Sequence, residues 1–262
     1  MAAKPYSALA AGYDLVMEHV DYDAWAAYLF HLLRMHGSDV ETVVELGGGT
    51  GSLARRLQPF GEYRYTLTDG SAAMLNRACE KIRPANSSIR CVQANFTAVS
   101  LDDLGLLRPV DAVVLVYDGL NYLLEESEVA ALFRCVHRLL RPGGLAIIDQ
   151  TTPANSEAHD GSFVDEGAEE GFAYVRESRY DPRTRHHETI FTLTVEGAQC
   201  TERHVQRAYT RQEVLALLDA SPLAPEAAYD GLTTEPAHDQ SHRIHWVLHR
   251  PIEEASGHGH SS

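Results

Sequence analysis

The chain is short of several features, and each shortage removes a class of protein. Its 262 residues include four cysteines, Cys79, Cys91, Cys135 and Cys200, scattered and with no Cys-x-x-Cys pair. Such spacing supports neither a disulfide framework nor a structural zinc site; it fits free thiols in a reducing compartment. No stretch reaches the roughly 18 consecutive apolar residues of a membrane span, and the N-terminus lacks the basic-then-apolar pattern of a secretory signal. Basic residues are also scarce: 22 Lys and Arg stand against 37 Asp and Glu, a formal net charge of −15. A protein that holds nucleic acid along a broad basic face carries the opposite balance. A cytoplasmic protein with one large core, or one domain with an insertion, is the expectation.

One stretch organises the rest. Thr42-Val43-Val44-Glu45-Leu46 is a short β-branched and apolar run, hence a buried strand, and Gly47-Gly48-Gly49-Thr50-Gly51 follows before a helical pattern from Ser52 to Gln58. A strand, a tight glycine turn and a helix start make a nucleotide site, because backbone approaches a ligand closely only where side chains are absent. No Gly-Lys-Ser/Thr follows, which excludes a Walker loop. A dinucleotide fingerprint fits poorly, since Glu45 would repel a pyrophosphate.

The Glu-x-Gly-x-Gly-x-Gly pattern from Glu45 to Gly51 resembles motif I of the class I S-adenosylmethionine-dependent methyltransferases. The resemblance implies a Rossmann-like α/β fold with a seven-stranded sheet and helices on both faces. It also implies S-adenosylmethionine as cofactor, held by Glu45, Leu46, Gly47 and Gly49. Asp69-Gly70 ends a second strand, Tyr63 to Thr68, some twenty residues past the glycines, where one carboxylate can accept from two vicinal ribose hydroxyls. Met74, on the helix from Ala72 to Ile82, resembles the residue that packs under the adenine. Asn95 and Phe96 follow the third strand, Ile89 to Ala94, and would meet the adenine amine and ring. The family usually has Asp where Asn95 stands; turn chemistry is the competing account of this Asn.

Asp111 to Val116 is apolar almost throughout, as a strand covered on both faces must be. It ends in Tyr117-Asp118-Gly119-Leu120-Asn121-Tyr122-Leu123, a run that resembles small-metabolite and sugar-amine methyltransferases. No Asn/Asp-Pro-Pro-aromatic motif and no Pro-Cys nucleophile is present, so the family's base-directed chemistries lack their groups. A helix from Ser127 to Leu140 and a strand from Leu145 to Ile148, ending at Asp149, complete this half.

Five segments are expected: an N-terminal helical lid (1–36), the cofactor-binding core (37–150), a loop and antiparallel β-layer over the site (151–210), a C-terminal helix with the last core strands (211–250), and a disordered tail (251–262). In the lid, Tyr13-Asp14 and Asp21-Tyr22-x-x-Trp25 resemble the leader of small-molecule methyltransferases, which points Tyr6, Tyr13, Tyr22 and Trp25 toward the cofactor. Aromatic faces suit a sulfonium cation, and a lid excludes water. Pro153 to Gly171 is acidic and reads as a mobile loop; Phe172–Arg179, Thr189–Val195 and Thr201–Tyr209 alternate like antiparallel strands. Thr210 with Glu213 forms a capping box.

The expected reaction moves a methyl group to a nitrogen, or an oxygen, of a small-molecule acceptor by in-line displacement. Tyr13, Tyr117 and Asn121 would surround the methyl group, with His204 as base or orienting group. On an alternating strand His204 shares a face with Glu202 and opposes Arg207. Asp118, Asp149 and Gln150 leave open a metal-assisted O-methylation, although no resident metal is expected. The same cofactor half would also serve a tRNA-modifying enzyme or a non-catalytic cofactor sensor. A monomer or a homodimer, with no membrane partner, is expected.

Overall fold

The structure is a computed structural model that describes residues 2–82, 88–158 and 163–252. The N-terminal segment runs through β1 (Ala2–Ala3), a 3-10 turn at Leu9–Ala11, α1 (Tyr13–Val16) and α2 (Tyr22–His36). Asp21 starts α2 by accepting from Asp23 N and Ala24 N, the usual way a carboxylate satisfies orphan helix donors. The core alternates β2 (Thr42–Glu45), α3 (Ser52–Gly61), β3 (Arg64–Asp69), α4 (Ala72–Ile82), β4 (Ile89–Gln93), β5 (Val110–Leu115), α5 (Glu126–Leu139) and β6 (Leu140–Thr151). Then come α6 (Pro153–Ala158), β7 (Phe163–Glu169), β8 (Phe172–Asp181), β9 (His186–Val195), β10 (Ala198–Arg207), α7 (Arg211–Asp219), β11 (Ala224–Asp230) and β12 (Arg243–His249).

Seven strands form the main sheet in the order β11-β12-β6-β5-β2-β3-β4, parallel except where β12 runs against β6 and β11. Alternate side chains of each central strand feed opposite faces. Val44, Val113 and Leu115 pack toward α5, α7 and the fully buried Phe133. Val43, Val114 and Ile147 pack toward Leu29 and Leu32 of α2 and Leu57 of α3. From β2 the chain winds outward one way through β3 and β4, and from β5 the other way through β6. Between the ends of β2 and β5 lies the crevice where open α/β sheets bind ligands.

The second sheet, in the order β1-β10-β9-β8-β7, is antiparallel apart from the two-residue parallel pairing of β1 with β10. Its inner face packs Phe172, Phe191 and Leu193 against Leu9 and Val16 of the N-terminal segment. This segment is therefore a strap, sewn to the main domain as well: Ser71 Oγ donates to Tyr6 O at 2.7 Å, and Lys81 Nζ meets Asp14 Oδ2 at 2.6 Å.

Two sequence expectations change. The loop expected from Pro153 to Gly171 contains a short helix, α6, and an edge strand, β7, paired along its length with β8. β11 carries the residues Ala-Pro-Glu-Ala-Ala-Tyr-Asp, which have little strand preference; its ladder to β12 holds it, with an irregularity between Pro225 and Ala227. The tail expected at 251–262 lies, from residue 253, outside the described residues. The capping box at Thr210 and Glu213 is present as expected. No described helix is long and apolar enough to cross a membrane.

Candidate active site

The glycine turn is held from below by a single carboxylate. Asp69 Oδ2 accepts from Gly49 N at 2.9 Å and Asp69 Oδ1 from Ser71 N at 2.7 Å. Gly49 has φ +57°, where a side chain strains the backbone, and a Cβ on Gly48 would lie 2.7 Å from Leu67 Cγ. The cradle thus depends on bare backbone. Above it opens a cavity of about 630 Å³ lined by Glu45, Gly47, Gly49, Asp69, Gly70, Met74 and Phe96, with Tyr22 and Trp25 of α2 on the opposite side.

Glu45 is 3% exposed and accepts from Tyr65 Oη at 3.0 Å. Burial pushes its carboxyl up to about 8, against the Tyr65 bond and with a further push from Asp69. Between the ordinary carboxylate value and about 8, the folded protein holds a proton that the unfolded chain has released. Stability from this residue therefore falls as pH rises. In ligand-free urea denaturation, Glu45→Gln should gain on the unaltered protein by about 4 kcal/mol between pH 5 and pH 9. A gap that stays constant with pH would show that Glu45 is already ionised.

A second cavity, about 590 Å³, lies between the main sheet and the β-layer. Four tyrosines, Tyr6, Tyr13, Tyr117 and Tyr122, line both cavities and so form the wall between them. Tyr6 and Tyr117 have φ of 61° and 65°, and Asp118 has 68°. Left-handed backbone at bulky residues costs roughly 1–2 kcal/mol each and collects where function over-determines the geometry. The wall is cross-linked: Tyr6 Oη donates to Tyr122 Oη at 2.5 Å, Tyr122 Oη lies 3.0 Å from His204 Nδ1, and His204 Nε2 lies 3.2 Å from Glu202 Oε2. Glu202, fully buried, also accepts from Tyr6 N, Ala8 N and Leu9 N at 2.7, 2.6 and 3.0 Å. Burial raises its pKa, yet His204 and the strap amides together bring it below the ordinary value. One carboxylate on β10 thereby pins the strap across the site.

Not all sequence candidates meet there. Leu46 is fully buried in the core behind the loop and presents no side chain to the cavity. Asn95 is exposed and outside the cavity lining; its Oδ1 accepts from Thr97 N and Thr97 Oγ1, which is turn chemistry. Asn121 does line the second cavity, but it is fully buried; its amide donates to Thr151 O and Arg207 O and accepts from Thr151 N, so it clasps β6 to β10 and both its N–H groups are taken. His204 lines the second cavity itself and also bonds Tyr122 Oη there.

The residues of the metal-assisted reading are otherwise engaged. Arg243 Nη1 bonds Asp118 Oδ1 at 2.6 Å and also Asp149 Oδ2, while its guanidinium stacks 5.3 Å from both the Trp25 and Tyr117 rings. The Gln150 amide donates to Tyr209 O and accepts from Trp246 Nε1. A fixed cation stands where the metal would, so these three side chains do not form a metal site. Sequence reasoning missed Tyr122 and Arg243 as functional residues. Tyr122 belongs to the aromatic run that follows β5; Arg243 carries no local signal.

Residues 43–144 match the family model described as a methyltransferase domain. A putative methyltransferase from Geobacillus sp. (strain WCH70) is 35% identical over 145 residues, 55% of this chain and 56% of that protein. The chain thus spans little more than half the length of that relative. A structure of an S-adenosylmethionine-dependent methyltransferase from Clostridium acetobutylicum ATCC 824 superposes with a TM-score of 0.77 at 18% identity, covering 92% of this chain and 97% of that one. The sugar N-methyltransferase KedS8 from Streptoalloteichus sp. ATCC 53650 gives 0.71 at 22% identity, covering 92% and 93%. The chain is thus similar to methyltransferases in the sequence of residues 43–144 and has the fold of S-adenosylmethionine-dependent methyltransferase structures.

Proposed function

We propose that the protein transfers a methyl group from S-adenosylmethionine to a nitrogen of a small-molecule acceptor. The observation that carries this is the tyrosine wall shared by two cavities. The glycine cradle, the Asp69 carboxylate, and the aromatic side made by Tyr22 and Trp25 suit a cationic, ribose-bearing ligand. When bound, the cofactor supplies an electrophilic methyl group that leaves a neutral sulfur behind. The chain supplies alignment and dryness: Tyr6, Tyr13, Tyr117 and Tyr122 bound a narrow passage, and the strap pinned by Glu202 closes it to water. The likeness to a sugar N-methyltransferase supports nitrogen over oxygen, and the size of the second cavity suits a small molecule better than a polymer. None of the four cysteines forms a disulfide, in keeping with a reducing cytoplasmic setting.

The test is methyl uptake from labelled S-adenosylmethionine by separate panels of aminated sugars and simple amines, alcohols and phenols, and unmodified tRNA. Incorporation into at least one amine and into no tRNA is the expected result. Uptake confined to hydroxyl compounds or to tRNA would overturn the nitrogen assignment.

A further inference from the structure

At the mouth of the tyrosine wall, on the acceptor side, the charges do not cancel. Two carboxylates, Asp118 and Asp149, share one guanidinium, that of Arg243. Asp149 is fully buried, and its Oδ1 accepts from Asp118 N at 3.0 Å, so both of its oxygens are used. Asp118 differs. It lines the acceptor cavity beside Tyr117, its Oδ1 is bonded to Arg243, and its Oδ2 has no hydrogen-bond partner among the described residues. Elsewhere in the lining Arg176 Nη2 meets Asp165 Oδ2 at 2.7 Å. Within the triad two carboxylates face one guanidinium next to the passage, beside tyrosine rings that also favour cations and with His187 in electrostatic reach of Asp118. Its backbone, at φ +68°, follows Tyr117 at +65°, two consecutive left-handed residues of the kind that collect at functional sites.

We propose that Asp118 is the acceptor-side anchor for a cationic amine, receiving the acceptor's ammonium group on its free oxygen and so selecting amines over alcohols at the methyl passage. This deepens the nitrogen-methylation reading and rests on it. Burial, offset by Arg243 and reinforced by Asp149, raises the carboxyl's proton affinity, so Asp118 can take one proton from the bound ammonium and free the nitrogen lone pair that forms the N–C bond as the S–C bond breaks; the proton then leaves to solvent.

The acceptor need not be known to test this. Sinefungin is a cofactor analogue with an amine in place of the transferable methyl, whereas S-adenosylhomocysteine has neither amine nor positive charge at that point. Calorimetric titration with both probes compares the unaltered protein with Asp118→Asn, a change that keeps a side chain tolerant of left-handed backbone. The unaltered protein should prefer sinefungin, and Asp118→Asn should lose that preference by about tenfold or more while S-adenosylhomocysteine binding stays within about twofold. Asp149→Asn, which cancels the surplus charge from behind, should shrink the preference in the same direction and serves if the first variant folds poorly. A preference for sinefungin that survives in both variants, or that is missing from the unaltered protein, overturns the proposal. The two levels fail separately: amines methylated without an Asp118 effect would sink the anchor alone, whereas alcohols methylated and amines refused would sink the nitrogen reading. If neither probe binds, the assignment of the cofactor cavity falls, and the anchor falls with it.

Discussion

Asp69→Ala should weaken S-adenosylhomocysteine binding by at least about 100-fold in calorimetry, since hydrogen bonds to a charged group are each worth roughly 1.5–3 kcal/mol. One such bond, from Gly49 N, ties the glycine turn to Asp69, and a second, from Ser71 N, orients the carboxylate. Burial raises the Asp69 carboxyl, and these two amides oppose the rise, so the residue is an acceptor set into the floor of the cavity. Removing it frees the loop and also takes away the group best placed for vicinal hydroxyls. Asp69→Asn keeps one acceptor oxygen and should recover part of the loss. Binding within fivefold of the unaltered protein for the Ala variant would mean that the turn is rigid without its clamp.

The second large effect concerns stability. Arg243→Leu should cost about 3–5 kcal/mol at pH 8, the usual penalty for removing one partner of a buried ion pair. The guanidinium serves both Asp118 and Asp149, so its loss leaves a fully buried and a half-buried carboxylate side by side. Their folded pKa values are already raised by burial and would rise further. Over that range the folded variant holds protons that the unfolded chain has released, and stability falls with rising pH. The variant should therefore recover stability as pH drops from 8 to 5. Urea denaturation at both values checks this; an equal deficit at the two would show that the carboxylates had relaxed apart.

The two halves of the molecule are not equally legible in the sequence. Around the glycine turn, each strand end announces itself, because a buried β-branched run stopped by glycine or an acid has few other meanings. Glu45, Asp69 and Met74 line one cavity with the turn as that logic implies. Asn95 and Asn121 show the limit. An Asn beside a ligand and an Asn bonded to its own backbone have the same letter in the same kind of turn, and only tertiary partners separate them. Arg243 stands 94 residues from Asp149 and 125 from Asp118, so no window contains the triad. β11 has an ordinary reason too: Ala, Pro and Glu form a strand there because β12 offers a ladder, and propensity cannot report a neighbour's offer.

The tyrosine wall has a thermodynamic corollary. Tyr6, Tyr13, Tyr117 and Tyr122 belong to both cavities, and the Tyr6–Tyr122 hydroxyl bond joins strap to core. Whatever settles these rings for one occupant alters the surface offered to the other, and that coupling must be equal in both directions. Cofactor and acceptor are in that sense effectors of each other, so the affinity measured for either one has meaning only when the occupancy of the neighbouring cavity is stated.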